Sequence, residues 1–401
     1  MQKVFIVDGL RTPIGSFLGS LKTLTAPKLG AELVKALLAK TKISGTDIDE
    51  VIVGNVLSAG IGMGPGRQVS IGGGIPIEVP AYSVNMLCSS GMKAAMIAMA
   101  EIRAGNAGLI VAGGTESMSN APFVLPPRIR QGWKMGEFSV QDTMMSEGLI
   151  DVFNNYHMGI TAENIAEKLK ISREAQDEFA LNSQQKAIRA VDSGEFRDEI
   201  VPIDAVDGKN AFRFDTDEYP NRTTNAEKLA RLKPAFKSGG TISPGNSSGI
   251  NDGACFFIIA GEEALKKFNL TPRAEIIAAA QAGVEPELMG LGPVPASARA
   301  LKQAGLKLAD MDFIELNEAF AAQSLGVIRE LSREHGESEE SIIARCNING
   351  GAIALGHPIG CSGARITLTL LNVLKKRNAK YGLASLCVGG GMGTALIIKN
   401  I

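Results

Sequence analysis

Three reactive side chains sit in glycine-rich junctions far apart in the chain. Cys88 lies in Val84-Asn-Met-Leu-Cys-Ser-Ser-Gly91, His357 in the run Asn349–Gly363, and Cys387 in Leu386–Gly393. Glycine gathers where a backbone bends tightly, lies against a ligand or offers bare N–H donors. A thiolate can attack a carbonyl carbon and later leave from it, an imidazole can take the thiol's proton, and a second thiol can carry a proton to or from carbon. Together they read as thiol-based acyl transfer. Singly, each has a plainer reading. A cysteine among apolar residues is a small core residue, and Cys255, Cys346 and Cys361 are assigned that role. His357 stands between Gly356 and Pro358, two backbone-shaping neighbours that fix the direction of the ring. Asn317 follows an apolar strand, as a polar site group or as the cap of a helix starting at Glu318. No closely spaced Cys/His pairs of the kind zinc requires are present, so no metal is expected.

Such residues need a rigid frame, and the chain repeats one. Leu37–Asp49 aligns without gaps on Ala300–Asp312, and each continues into an apolar strand, Val51–Gly54 and Ile314–Asn317. Cys88-Ser-Ser-Gly91 matches Cys361-Ser-Gly363, each opening an apolar helix, and Ala107–Gly114 corresponds to Tyr381–Gly390. The second half then runs straight into Ala395–Lys399, whereas its counterpart Gly249–Ile259 comes only after a long insertion. The expected division is residues 1–118 with 249–272 as one half, 119–248 as the insertion and 273–401 as the other half. The insertion reads as helical from Thr161 to Ser193, and as irregular at its start, where Pro122, Pro126, Pro127 and Gly132 break regular elements. Short apolar strands alternating with helical patterns predict an α/β fold with largely parallel sheets covered on both faces. The helix Met92–Ala100 is apolar nearly all round apart from Lys93, which predicts an internal helix. Its N-terminus, carrying about half a positive charge, is expected to favour the thiolate at Cys88.

Composition narrows the class. At 401 residues and 45% hydrophobic content the chain can bury more than one core. A net charge of −1 and 5% aromatic residues leave no field or stacking platform for nucleic acid. No apolar run approaches the roughly 18–20 residues of a membrane span. Five cysteines, an odd number, favour reduced thiols, and the first residues already read as a strand, so a soluble cytoplasmic enzyme is expected.

Asn317-Glu-Ala-Phe320, Asn349-Gly-Gly-Ala-Ile-Ala-Leu-Gly-His-Pro-Ile-Gly360 and Cys387-Val-Gly-Gly-Gly-Met-Gly393, in this order and with Arg11-Thr-Pro13 upstream, resemble the thiolase family in its biosynthetic, acetyl-CoA acetyltransferase branch. The resemblance spans essentially the whole chain. It implies a duplicated five-strand α/β core, layered α-β-α-β-α, with an inserted loop domain that binds coenzyme A. It implies condensation of two acetyl-CoA to acetoacetyl-CoA and CoA, and the reverse thiolysis. Acetyl-CoA, acetoacetyl-CoA and CoA are then substrates and products, with no separate cofactor. By resemblance Cys88 carries the acyl group, His357 takes its proton and Cys387 is the acid/base thiol. Gly389 and Cys88 would supply N–H donors to one oxyanion, and His357 with a water on Asn317 would serve the other. Ser248 and His157 would lie along the pantetheine arm and Leu149 in its wall, with Met158 and Met289 lining a small acyl pocket. Arg222 would pack near the adenine and phosphate end, with Phe236 and Phe320 as apolar neighbours. The family analogy also implies a homotetramer, with residues 123–145 as the tetramer-forming loop.

The readings that compete are a broad-range 3-ketoacyl-CoA thiolase, a decarboxylating ketoacyl synthase and a non-catalytic thiolase-like carrier. His157-Met158 resembles the short-chain branch. A synthase is usually served by one Cys and two His, but the glycine-rich C-terminal turn presents Cys387, and His335 falls in the polar stretch 333–340, read as a surface loop. A carrier has no use for all three reactive residues.

Overall fold

The chain folds around two central helices. The structure, a computed structural model, describes residues 2–401. The Ser90–Ala104 helix buries Met92, Ala94, Ala95, Met96, Ala98, Met99 and Ile102, and the Ile359–Lys376 helix buries every residue from Ile359 to Leu374. The second has no solvent stripe and is enclosed, whereas the first leaves Lys93, Ile97, Ala100, Glu101 and Ala104 on one partly exposed face, which corrects the expectation of a fully internal helix. Strand residues from both halves, including Ile6, Ile110, Phe257, Ile276, Leu386 and Ile398, form one core with them. Burying each such side chain contributes about 1.5–3 kcal/mol. Outside the first half, Leu29, Leu33, Val34 and Leu37 of the Ala26–Thr41 helix cover Val51, Val53, Val111 and Phe256. Outside the second, Ala300, Leu301, Val327, Ile328 and Leu331 cover Ile314, Leu316, Leu383 and Ile397. Five layers result, α-β-α-β-α.

From edge to edge the strands run Phe313–Leu316, Tyr381–Val388, Met392–Asn400, Ala274–Gly283, Val4–Arg11, Asn251–Gly261, Leu109–Ser117, Glu50–Gly54 and Ala81–Val84. Within each half the spatial order, by position in the chain, is first, fifth, fourth, second, third. The duplication read from sequence is therefore one of topology. In the second half the third strand shrinks to a parallel bridge between Ile314 and Cys346. The halves join through the short antiparallel pairing of Phe5 and Ile6 with Glu275 and Ala274.

The sheet is mixed, which corrects the largely parallel expectation. Only the Glu50–Gly54 strand with its two neighbours and the Phe313–Leu316 strand with Tyr381–Val388 pair in parallel. Strands covered on both faces are apolar throughout whatever their direction, so the pattern reported burial and not orientation. The stretch 333–340 also differs from the expected loop: a helix runs to His335, turns at Gly336 and restarts at Glu339.

Between Ser117 and Asn251 the chain leaves the main sheet. This excursion carries the Met158–Leu169 and Arg173–Ser193 helices and three short hairpins. A buried fork ties it to the first strand. Arg11 donates from Nε to Glu199 at 2.7 Å and from Nη1 and Nη2 to the two Asp217 oxygens at 2.7 and 2.8 Å.

Candidate active site

Cys88 ends a strained turn between the Ala81–Val84 strand and the first central helix. Leu87 has φ 48°, rare for a residue with a side chain. Local bonds hold that turn: Leu87 N donates to Asn85 Oδ1 at 2.9 Å, and Ser90 Oγ donates to the Leu87 carbonyl at 2.7 Å. Ser89 shares a 2.6 Å hydroxyl contact with Thr394, which faces Leu386 in the Tyr381–Met392 strand pair that carries Cys387. The two cysteines, far apart in sequence, thereby become neighbours, and the charge of Cys88 raises the Cys387 thiol. The backbone N–H groups of Gly389 and of Cys88 itself lie close enough to the Cys88 sulfur to favour its thiolate. A Cβ on Gly389 would stand 3.0 Å from Leu87 and 3.8 Å from the Met158 sulfur, so glycine keeps this approach open.

His357 is fixed from three sides. Its backbone N–H donates to Asn251 Oδ1 at 2.9 Å, its Nδ1 lies 2.6 Å from Ser362 Oγ, and its Nε2 lies 3.4 Å from Asn317 Nδ2. Gly356, at φ 99°, packs so tightly on Asn251 that a Cβ would come within 2.4 Å of it. Ile359 of the same loop packs against Cys88, Leu87 and Leu149. Asn317 is not a helix cap, since the helix after it starts at Ala321. Its N–H donates to Ser385, and its buried Oδ1 has no partner among the described residues.

Burial dominates the electrostatics. It pushes the Cys88 thiol up to about 11, and the charge of Glu116 adds to this. The expectation that the helix start would favour a thiolate is thus corrected: although Cys88 is only partly buried, desolvation outweighs the dipole. Cys387 is raised as well, by burial and then by Cys88. His357 is driven down to about 3, by burial and then by Arg365, so its ring is neutral. Glu116 is pushed up to about 7 by burial, against N–H donors from Val56, Leu57 and Gly360 at 2.9–3.2 Å. It also accepts from Asn55 Nδ2, so one carboxylate joins the loops beside Cys88 and His357.

The remaining candidates divide. Met158, Met289, Phe320 and Cys387 share one apolar cluster with Phe236 packed on it. His157 stacks on Phe236 with centroids 4.5 Å apart, and its Nδ1 accepts from Gly159 N at 2.9 Å. Ser248 lies beside the Asn317–Phe320 loop, its N–H on the Ala319 carbonyl at 2.9 Å. Arg222 does not join them: it is exposed and forked onto Asp192 at 2.6 and 3.0 Å. Cys255, Cys346 and Cys361 are buried core residues. Asn55, Asn251, Glu116 and Ser362 were not singled out from sequence. Polar residues that act through other residues carry no spacing signal.

The thiolase N-terminal domain family model matches residues 4–263, and the thiolase C-terminal domain model matches residues 270–400. The chain belongs to the thiolase family. It is 51% identical over 401 residues to an acetyl-CoA acetyltransferase of Pseudomonas aeruginosa and 49% identical over 401 residues to one of Escherichia coli, covering 100% of each chain. Among solved thiolase structures, the acetyl-CoA acetyltransferase of Syntrophomonas wolfei superposes with a TM-score of 0.96 at 39% identity, covering 100% of both chains. Human mitochondrial 3-ketoacyl-CoA thiolase superposes at 0.94 with 43% identity, covering 100% of this chain and 99% of that one. The junction between the two matched thiolase domains falls on the Glu262–Lys267 helix and the turn after it, ahead of the Ala274–Gly283 strand.

Proposed function

We propose that this thiolase is an acetyl-CoA C-acetyltransferase that works through an acetyl-Cys88 intermediate. The observation that carries the reading is the pairing of Cys88 with Cys387, with the backbone N–H groups of Cys88 and Gly389 beside the Cys88 sulfur. In the first half-reaction Cys88 gives its proton to His357 Nε2 and attacks the acetyl carbonyl. The N–H groups of Cys88 and Gly389 hold the developing oxyanion; one such donor is worth about 3 kcal/mol of barrier. The CoA thiolate leaves with the proton of Cys387. That leaves Cys387 as a thiolate beside a protonated His357.

In the second half-reaction the Cys387 thiolate removes a proton from the methyl of another acetyl-CoA. The enolate oxygen is held by the protonated Nε2 of His357 and by a water on Asn317 Oδ1. The enolate carbon attacks acetyl-Cys88, forming the C–C bond, and Cys88 leaves and recovers its proton from His357. Every proton returns to its origin, and the reverse sequence is thiolysis. The raised thiols suit this cycle, because each becomes a thiolate only as a partner takes its proton. No cofactor is required. Ser248, His157 and Leu149 flank the pantetheine arm in this reading. The division into two halves and a CoA-binding insertion at 119–248 belongs to the same proposal. Arg222 could reach the adenine end only by opening its Asp192 pair. Among the described residues no helix is long and apolar enough to cross a membrane, which suits a cytoplasmic enzyme.

Met158, Met289 and Phe320 crowd the Cys387 side, so the acyl pocket is short. Thiolysis of acetoacetyl-CoA should exceed that of 3-ketodecanoyl-CoA at least tenfold in kcat/KM. Equal efficiencies would replace this reading with a broad-range 3-ketoacyl-CoA thiolase.

A further inference from the structure

The ring of His357 has two nitrogens: Nε2 lies beside Asn317 Nδ2 at 3.4 Å and is the one given the Cys88 proton in the proposed cycle. What sets its protonation is the contact on the other side. Nδ1 lies 2.6 Å from Ser362 Oγ, and Ser362 Oγ lies 2.9 Å from the Pro358 carbonyl, one turn back in the same helix. A serine hydroxyl has one proton to give. If it pointed at Nδ1, the hydroxyl oxygen and the Pro358 carbonyl would face each other as two acceptors. If it points at the carbonyl, both contacts are hydrogen bonds, with Nδ1–H donating to Ser362 Oγ.

We infer that Ser362 is a positioning residue that holds His357 in the Nδ1–H tautomer, leaving Nε2 with a lone pair that meets only the long 3.4 Å contact of Asn317 Nδ2 and can take the Cys88 proton. This deepens the proposed cycle and rests on the role given there to His357. The same bond survives when Nε2 is protonated, since Nδ1 remains a donor throughout. A neutral hydroxyl also differs from the carboxylate that often backs a catalytic histidine. A carboxylate would stabilise the imidazolium, and His357 would then be slow to return its proton to Cys88. Ser362 fixes direction and tautomer without adding that charge. It is fully buried, and no carboxylate contacts the ring among the described residues.

The chain holds only three histidines, so nitrogen-15 labelling of histidine gives a readable spectrum of the full-length enzyme. His157 serves as an internal reference of opposite tautomer, because its Nδ1 accepts a backbone N–H. His357 should show a protonated Nδ1 and a bare Nε2. In Ser362→Ala that assignment should be lost, with kcat for acetoacetyl-CoA thiolysis falling about 100-fold and KM moving less than threefold. Iodoacetamide labelling of Cys88 at neutral pH should slow in parallel. Ser362→Thr keeps the hydroxyl and should recover most of both rates. A protonated Nε2 in the unsubstituted enzyme, or a Ser362→Ala kcat within threefold of it, would overturn the inference. The tautomer is read on the resting enzyme, so it is decided even if acetoacetyl-CoA is not turned over, an outcome that would sink the proposed function instead.

Discussion

His357 is the residue on which burial has the largest chemical consequence. Its imidazole would bind a proton near 6.5 in the unfolded chain but only near 3 when folded. Between those values the unfolded state holds more protons, so stability falls as pH drops from about 6.5 towards 3. His357→Asn removes that penalty. On moving from pH 7.5 to 4.5, the enzyme should lose about 2–3 kcal/mol more than the variant in urea unfolding. Equal losses would mean that the folded ring takes up a proton as readily as the free one. Cys88, His357, Cys387 and Asn317 were legible in sequence because the chain has three histidines and five cysteines and sets its key ones among glycines. The Cys88 proton state was not legible, since a helix start is visible in sequence and the desolvation around a thiol is not. Ser362 was equally hidden: five positions past a histidine on a helix, it looks like any buried serine.

At the scale of elements, the insertion is clamped to the core through ions. Arg11 on the first strand is buried against Glu199 and Asp217, and Glu199 also accepts from Asn372 Nδ2 of the second central helix at 2.8 Å. Removing one member of such a set strands the others without compensation. Arg11→Met should cost about 3–5 kcal/mol in urea unfolding, and Arg11→Lys should recover only part of it, because an ammonium cannot reproduce the fork. A cost below 1 kcal/mol would show that the pairing is incidental. Element type and order were readable from period and repeat, but the first central helix, apolar nearly all round, keeps one face partly exposed. Strand direction was not, because both faces are covered. The third strand of the second half was invisible too, since it is one bridge at Cys346.

At the scale of the whole molecule, two surfaces are unfinished. The Ala81–Val84 strand ends the sheet with a free edge and an exposed Tyr82, a template for pairing with another chain. The excursion after it exposes Phe123, Leu125, Met135, Phe138 and Val140, more clustered apolar surface than a monomer usually leaves in water. A copy of the chain seated on each face would make a dimer of dimers. Light scattering should give about four times the 42.2 kDa chain mass. Phe123→Ser, Leu125→Ser and Phe138→Ser together should yield active dimers. A monomeric enzyme of full activity would refute that account.

The central claim is that an acetyl group rests on Cys88 while Cys387 manages the proton on carbon. The direct test is a single turnover with radiolabelled acetyl-CoA, quenched in acid, digested and mapped by mass. The label should sit on Cys88 alone, and it should persist there in Cys387→Ser, which takes the acetyl group but forms no acetoacetyl-CoA. Label on another residue, or undiminished turnover by Cys88→Ala, would contradict the account.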